Sequence, residues 1–145
     1  MAQGRVLALD LGKRRIGLAV SDELGITAQG LETLERTTIR EDLARLAQLI
    51  VDRQVSLILM GDPLHMSGDK SRQGEYTREF ADRLKAATGL PVVFWDERLT
   101  TVEAERVLRE SGISIQKRGK AVDRLAAVIL LESYLDSRNP DSTSL

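Results

Sequence analysis

Two short apolar runs near the start of the chain, joined by a glycine-containing turn, constrain the fold more than any other feature. They are Val6–Leu9 and Ile16–Val20, within RVLALDLGKRRIGLAVSD at residues 5–22. Runs of this length separated by such a turn predict two hydrogen-bonded strands. Asp10 follows the first run directly. A carboxylate there is costly unless it binds a cation or accepts several hydrogen bonds, although an Asp that caps the turn is the alternative interpretation.

The rest of the chain predicts a third strand and then alternating helices and strands. Amphipathic spacing and the capping boxes Thr38–Glu41 and Thr100–Glu103 indicate the helices, and apolar runs indicate the strands. The predicted elements are a strand at 26–36, a helix from 38 to about 53, a strand at 55–60, a polar loop at 64–74, a helix at 75–88, a strand at 91–95, a helix at 100–112, a basic loop at 116–120 and a last helix at about 120–137.

This order predicts an α/β domain with a five-stranded mixed sheet flanked by helices. Strands 1 to 3 form an antiparallel meander, and right-handed crossovers give the strand order 3-2-1-4-5. The carboxyl ends of strands 1, 4 and 5 then meet at one edge, where open α/β sheets bind ligands. We expect a single domain over residues 1–138 and a flexible tail at 139–145.

Composition excludes several classes of site. The chain has 145 residues, a net charge of −1 and no cysteine, which excludes disulfides, thiolate zinc sites and cysteine nucleophiles. A nucleic-acid partner would need a local basic patch, since the whole chain is not basic. The first strand starts too early for a signal peptide, and no apolar run reaches the roughly 20 residues of a membrane span. We therefore expect a soluble, cytoplasmic protein.

Three carboxylates are candidates to converge at the predicted edge of the sheet. They are Asp10 after strand 1, Glu97 after strand 5 and Asp123 in the first turn of the last helix. Oxygen ligands of this kind suit Mg²⁺ or Mn²⁺, and two such ions about 4 Å apart catalyse phosphodiester hydrolysis. Each acid also has an ordinary structural explanation: Glu97 can pair with Arg98, and Asp123 can interact with the helix dipole.

Basic residues surround these acids in the sequence. Between residues 117 and 124 there are four cations against a single acid, an excess that the net charge conceals. Such cations would neutralise the phosphates of a nucleic acid. The candidate nucleic-acid-binding residues are Lys13, Arg14, Arg15, Arg98, Lys117, Arg118, Lys120 and Arg124.

Four motifs together resemble the YqgF (RuvX) family of bacterial proteins. They are D-L-G-x-x-x-I-G-x-A-x-S-D at 10–22, G-x-P at 61–63, W-D-E-R-L-T-T at 95–101 and Q-K-R-x-K-x-x-D-x-x-A-A at 116–127. The resemblance runs from Val6 to Asp136 in the same order. It implies an RNase H-like fold related to the resolvase RuvC. It also implies a nuclease that processes the 5′ end of pre-16S rRNA or resolves Holliday junctions, with Asp10, Glu97 and Asp123 as its catalytic acids.

Two further acids compete for a place in the predicted metal site. The family commonly has Leu or Phe in G-x-P, whereas this chain has Asp62, which adds a carboxylate beside the strand that neighbours Asp10. Asp62 is therefore a rival to Glu97 as a metal ligand. Asp96 can also contribute, or can face a nearby helix start.

Other interpretations stay open. A non-catalytic nucleic-acid-binding module would keep the fold and the basic residues without cleaving, and a phosphotransferase related to actin and sugar kinases would share the D-x-G hairpin. His65 is favoured as a surface residue over a proton shuttle, and Trp95 as a core residue over a base-stacking one. We expect the partner to be a nucleic acid, either pre-rRNA or branched DNA, with no membrane, and we expect a monomer or a weak homodimer.

Overall fold

The computed structural model describes residues 4–62, 72–96, 110 and 115–138, with side chains for 4–62, 74–95, 110 and 122–138. Strands and helices follow one another in nearly the order that the sequence predicts. The elements are β1 (Arg5–Leu11), β2 (Arg15–Ser21), β3 (Ala28–Gly30), β4 (Leu34–Glu35), α1 (Ile39–Asp52), β5 (Val55–Asp62), α2 (Arg72–Thr88), β6 (Val92–Asp96) and α3 (Ile115–Arg138). None of the described helices combines the length and the hydropathy that a bilayer crossing requires.

The strands form one mixed sheet in the order β3-β2-β1-β5-β6, with β4 also pairing with β2. β1 and β2 are antiparallel, whereas β5 is parallel both to β1 and to β6. The predicted position of the 55–60 strand beside the first strand is therefore confirmed. The carboxyl ends of β1, β5 and β6 lie at one edge of the sheet.

The predicted third strand at 26–36 is two short strands, so the described residues form a sheet of six strands where five were predicted. Both β3 and β4 pair with β2, through Ala19↔Gly30 and Ile16↔Leu34. From Ile16 to Ala19 the chain advances by three residues, whereas from Gly30 to Leu34 it advances by four. The segment with β3 and β4 therefore has one extra residue, which interrupts the hydrogen-bond ladder as a bulge. Strand order agrees with the prediction once this division is taken into account.

The helix starts differ from the prediction in two places. Thr38 caps α1 as predicted, accepting a hydrogen bond from the Glu41 amide at 3.1 Å. The predicted basic loop at 116–120 is wrong, because these residues lie in the first turns of α3. Gln, Lys and Arg favour helices, and one interior glycine costs only about 1 kcal/mol. Likewise, residues 72–74 of the predicted polar loop are helical.

Three predictions fall mainly on parts of the chain that are not described. They are the rest of the polar loop at 64–74, the helix at 100–112, of which only Glu110 is described, and the tail at 139–145.

Helices cover both faces of the sheet, and side chains alternate between the two faces along each strand. On one face, Leu7, Leu9 and Met60 pack in a core that includes residues of α1 and α2. On the other face, α3 packs against Ala8 and Ala19, among other residues. Because these two side chains are small, the axis of α3 can lie close to β1 and β2.

A buried ion pair on the α1/α2 face was not foreseen from the sequence. Asp42 is fully buried in α1, and only 8% of the Arg36 side chain is exposed. Arg36 Nε donates to Asp42 Oδ2 at 3.1 Å, while Arg45 Nη2 and the Thr37 amide donate to Oδ1. Burial raises the pKa of Asp42, but the Thr37 amide and the two guanidinium groups more than offset it, so this pKa lies below its ordinary value of 3.8.

We predict that Asp42→Asn lowers the free energy of unfolding by about 3–5 kcal/mol at neutral pH, because it leaves the Arg36 charge buried and uncompensated. Since folding lowers the pKa of Asp42, its contribution is fully present above pH 3.8 and is lost as pH falls through the lower folded pKa. Urea unfolding of wild type and variant at pH 7 and at pH 3 should therefore show a difference that shrinks in acid.

Glu41→Gln is the matched control for this prediction, since Glu41 lies in the same first helical turn but is exposed. It removes one negative charge near the same helix start. A loss of stability in Asp42→Asn no larger than that in Glu41→Gln would contradict the importance of the buried pair.

Candidate active site

Asp10 lies near the carboxyl end of β1, on the face of the sheet that α3 covers. Ala8, two residues earlier, packs in the α3 core, and alternation places Asp10 on the same side. Asp10 is the antiparallel partner of Gly17 on β2. Since opposite residues of an antiparallel pair project to the same face, the space above Gly17 adjoins the Asp10 carboxylate.

The backbone of α3 occupies that space. A Cβ atom added at Gly17 would lie 2.0 Å from the carbonyl oxygen of Asp123 and 3.2 Å from its Cα. Only glycine permits such a close approach. The contact brings Asp123 next to the residue that pairs with Asp10, so two of the three predicted acids lie at one edge and on one face of the sheet.

The Asp123 carboxylate is held by a neighbouring cation. Arg15 Nε donates to Asp123 Oδ2 at 2.8 Å, and the exposed fraction of the Asp123 side chain is 26%. Arg15 precedes Gly17 by two residues on β2 and therefore shares its face. This ion pair joins the start of β2 to α3 and leaves the carboxylate accessible from solvent.

Asp62 ends β5 at the same edge of the sheet but projects to the opposite face. Met60, two residues earlier, packs in the α1/α2 core, and Asp62 follows it on that side. The buried Asp62 carboxylate accepts a hydrogen bond from Arg78 Nη2 at 3.0 Å, and the Arg78 guanidinium stacks 4.6 Å from the centre of the Phe94 ring. The Asp62 side chain therefore lies on the α1/α2 face, where it pairs with α2, whereas the Asp10 side chain lies on the α3 face.

The other two predicted acids follow β6. Asp96 is the register partner of Asp62 at the end of that strand. The side chain of Asp96 and the whole of Glu97 lie outside the described residues.

The predicted nucleic-acid-binding residues are found in three environments. Lys13 and Arg14 are exposed in the turn between β1 and β2. Arg15 is paired with Asp123, and Arg124 donates from Nε to the Leu31 carbonyl at 3.0 Å. Of the remaining cations, Lys117, Arg118 and Lys120 are described only as backbone positions in α3, and Arg98 lies outside the described residues.

Trp95 is half-buried and packs against the core on the α3 face, in line with the favoured interpretation. Its ring meets that of Tyr134 edge to face, with 5.3 Å between the ring centroids. Its Nε1 donates to Ser133 Oγ at 3.1 Å. Both partners lie on α3, so Trp95 helps to pack this helix against β6. His65 lies outside the described residues.

Arg36 is a residue near the site that sequence reasoning missed. It follows β4, and its guanidinium reaches the turn between β1 and β2, where Nη1 donates to the Gly12 carbonyl at 3.0 Å. A single arginine after a strand carries no sequence signal for this role. Its buried partner Asp42 is also indistinguishable, in sequence, from an ordinary acid in the first turn of a helix.

The donor chemistry at this edge fits a hard divalent cation. Asp10 and Asp123 supply carboxylate oxygens on one face, the ligand type that Mg²⁺ and Mn²⁺ prefer. Within the described residues no three His, Cys, Asp or Glu side chains are grouped closely enough to hold a metal. A third acid would have to come from outside them, and Glu97 follows the described end of β6, which β5 separates from β1.

Comparisons of sequence identify close relatives. Residues 4–137 match the model of a family described as "RuvX: Holliday junction resolvase". A protein of Koribacter versatilis is 57% identical over 138 residues, covering 95% of this chain and 90% of the relative. One from Bacillus subtilis is 46% identical over 137 residues, covering 93% and 99%. Both carry the name "Putative pre-16S rRNA nuclease".

Comparisons of structure identify resolvases of the same fold. The chain is similar to Thermus thermophilus RuvC in complex with a Holliday junction substrate, with a TM-score of 0.58, 16% identity and coverage of 94% and 96%. It is similar to the fowlpox virus resolvase bound to junction DNA, with a TM-score of 0.56, 13% identity and coverage of 92% and 98%. At these identities the likeness shows the fold alone, and the predicted RNase H-like class is confirmed.

We predict that Gly17→Ala destabilises the protein by about 1–3 kcal/mol, because the new methyl group overlaps the backbone of α3. Whether the substitution lowers or raises the free energy of unfolding tests the close approach of α3 to β2. Without the overlap, replacing a strand glycine by alanine would stabilise the protein by roughly 0.4–1 kcal/mol through the unfolded state. Denaturant unfolding measures the change, and a Gly17→Ala variant at least as stable as wild type would contradict the close approach.

Proposed function

This chain belongs to the RuvX family, and on that premise we propose that it is a metal-dependent endonuclease that hydrolyses phosphodiester bonds. We propose 5′-end processing of pre-16S rRNA as its role, by analogy with the names of its relatives. The single observation that supports catalysis best is the approach of Asp123 to the β2 residue paired with Asp10. A module that only bound nucleic acid would not need two acids beside its phosphate-binding residues.

We assign the catalytic and metal-binding roles to Asp10, Glu97 and Asp123. Two Mg²⁺ or Mn²⁺ ions bound there would supply a Lewis acid for the scissile phosphate and a water nucleophile at neutral pH. We leave Asp62 out of the ligand set, since its ion pair with Arg78 and its position on the other face both support a structural role.

The cations near the site would bind and orient the substrate. Lys13 and Arg14 project from the turn that follows Asp10, so their charges can neutralise phosphates next to the acids. Arg15 keeps the Asp123 carboxylate oriented through its 2.8 Å hydrogen bond. The first turns of α3 would contact phosphates of the substrate farther from the cleavage site, through Lys117, Arg118 and Lys120.

A four-way DNA junction is the second candidate substrate. The family description names a Holliday junction resolvase, and two structural neighbours are bound to junction DNA. Resolving a junction requires two active sites, whereas trimming RNA requires one. We propose a monomer or weak homodimer that acts on RNA in the cytoplasm, where ribosomes assemble, and whose junction cleavage would depend on dimerisation.

We predict that Asp10→Asn lowers the rate of cleavage by at least about a hundredfold while nucleic-acid binding persists or tightens. The change keeps the side-chain shape and removes a negative charge beside the phosphates. Cleavage of labelled pre-rRNA leader and of a four-way DNA junction, each with Mg²⁺, Mn²⁺ or EDTA, measures the effect.

Asp52→Asn is the matched control, since Asp52 is an exposed acid at the end of α1, away from this edge. It should cleave like wild type. Undiminished cleavage by purified Asp10→Asn would rule out the proposed catalytic acid. Binding of both substrates without cleavage of either by wild type would favour the non-catalytic module.

We predict that Lys117→Ala/Arg118→Ala weakens nucleic-acid binding and reduces the slope of log Kd against log salt by about one unit for each phosphate that the variant no longer neutralises. Arg83→Ala/Lys85→Ala is the control, because it removes two exposed cations from α2. Fluorescence anisotropy over a salt series gives both slopes. Equal slopes in wild type and the α3 variant would show that these two cations contact only solvent.

A further inference from the structure

Arg36 joins three separate parts of the fold through its buried guanidinium. Only 8% of its side chain is exposed, and the group lies 5.3 Å from the ring centroids of both Tyr76 and Phe80 in α2. Each guanidinium nitrogen has a different acceptor. The acceptors are Asp42 Oδ2 for Nε, the Gly12 carbonyl for Nη1 and the Tyr76 hydroxyl for Nη2.

The same residue also holds the other side of the β1–β2 turn. The Arg36 amide donates to the Arg14 carbonyl at 2.9 Å, in addition to the 3.0 Å bond from Nη1 to the Gly12 carbonyl. The turn is closed internally by the Gly12 amide, which donates to the Arg15 carbonyl at 3.0 Å. Arg36 therefore fixes the backbone on both sides of Lys13, whose side chain is exposed.

Rigidity of this turn has a consequence for binding. Exposed lysine and arginine side chains on a loose loop must be ordered when a phosphate binds, and each ordered side chain costs affinity. A turn whose backbone is already fixed incurs less of this cost. Lysine could not replace Arg36 in this role, since a single ammonium group cannot reproduce the planar arrangement of three donors that meets Asp42, Gly12 and Tyr76.

We propose that Arg36 is a positioning residue that pre-orders the Lys13–Arg14 turn for the phosphates of a nucleic-acid substrate. The identity of the ligand, a nucleic acid, rests on the proposed function, whereas the hydrogen bonds from Arg36 to the turn do not depend on it. Arg36 is itself buried and would not contact the substrate. Its effect on binding would pass through the two exposed cations of the turn.

Arg45 provides a matched control, because it shares the buried partner of Arg36 but not the turn. Its Nη2 donates to Asp42 Oδ1 at 3.0 Å and to the Glu35 carbonyl at 2.6 Å. No bond from Arg45 to Gly12, Lys13 or Arg14 is found in the described part of the chain. Arg45→Gln should therefore weaken the buried ion pair while leaving the turn intact.

The first test measures the order of the turn without any ligand. In Arg36→Lys, which keeps a positive charge beside Asp42, hydrogen exchange at the Gly12 amide should accelerate at least about tenfold. Exchange at the Gly25 amide, which donates to the Asp22 carbonyl in another turn, should not change. Arg45→Gln should leave the Gly12 amide as in wild type.

The second test is a double-mutant cycle on binding. Arg36→Lys should raise the Kd for a labelled single-stranded pre-rRNA leader about three- to tenfold, the effect of ordering one or two side chains on binding. In a Lys13→Ala/Arg14→Ala background the same substitution should have no further effect. A residue that acted only on stability would weaken binding equally in both backgrounds. Binding is measured in EDTA, so that cleavage does not interfere.

Each outcome bears on one proposal or on both. Additive losses in the cycle, or unchanged exchange at Gly12, would overturn the positioning role even if wild type cleaves RNA. If the effect of Arg36→Lys on binding disappears in the Lys13→Ala/Arg14→Ala background but wild type cleaves nothing, the positioning role is supported and the nuclease proposal is overturned. A wild type that binds no nucleic acid would overturn both proposals. If Arg36→Lys does not fold, Arg36→Met/Asp42→Leu removes both buried charges together and takes its place.

Discussion

Contact between two backbones, with no side chain between them, determines the geometry at the proposed active site. Helix α3 rests on β2 at Gly17, where even a methyl group would overlap the Asp123 carbonyl. Ala8 and Ala19 continue this surface of small residues along the sheet. The short distance places Asp123 of the last helix directly over Gly17, the β2 residue that pairs with Asp10 of the first strand. A larger residue at position 17 would separate the two, whatever the identity of the acids.

The two faces of the sheet use charge in different ways. On the α1/α2 face, the Arg36–Asp42 pair is buried and Asp62 is neutralised by Arg78, so these charges act within the protein. On the α3 face, Asp123 is partly exposed and has Arg15 as its partner. Acids at the same edge therefore lie in unlike environments, and the face of the sheet to which each side chain projects determines which environment it has.

Much of the fold was predictable because its determinants are local. Apolar residues spaced for strands and for helices predicted the hairpin and the position of β1 beside β5. The capping box predicted the helix start at Thr38. The bulge between β3 and β4 was missed because the apolar and β-branched residues of 26–36 also fit one continuous strand. The early start of α3 was missed because Gly119 suggested a loop, although Gln, Lys and Arg around it favour a helix. The pairing of Asp62 with Arg78 and of Arg36 with Asp42 depends on contacts between elements that no local pattern encodes. For the same reason, the ion pair of Arg15 with Asp123 could not be read from spacing, although both residues were already candidates for the site.

The Arg15–Asp123 pair joins residues that are 108 positions apart in the chain. Contacts of such long range form late, because the intervening chain must first be brought together. During synthesis the hairpin, the parallel strands and the first two helices emerge before α3 exists. An incomplete chain beside the ribosome would therefore carry the exposed cations of the turn without the assembled acids. If the protein cuts RNA, its activity would begin only once the last helix has docked, and a truncated or nascent chain would be harmless to the RNA around it.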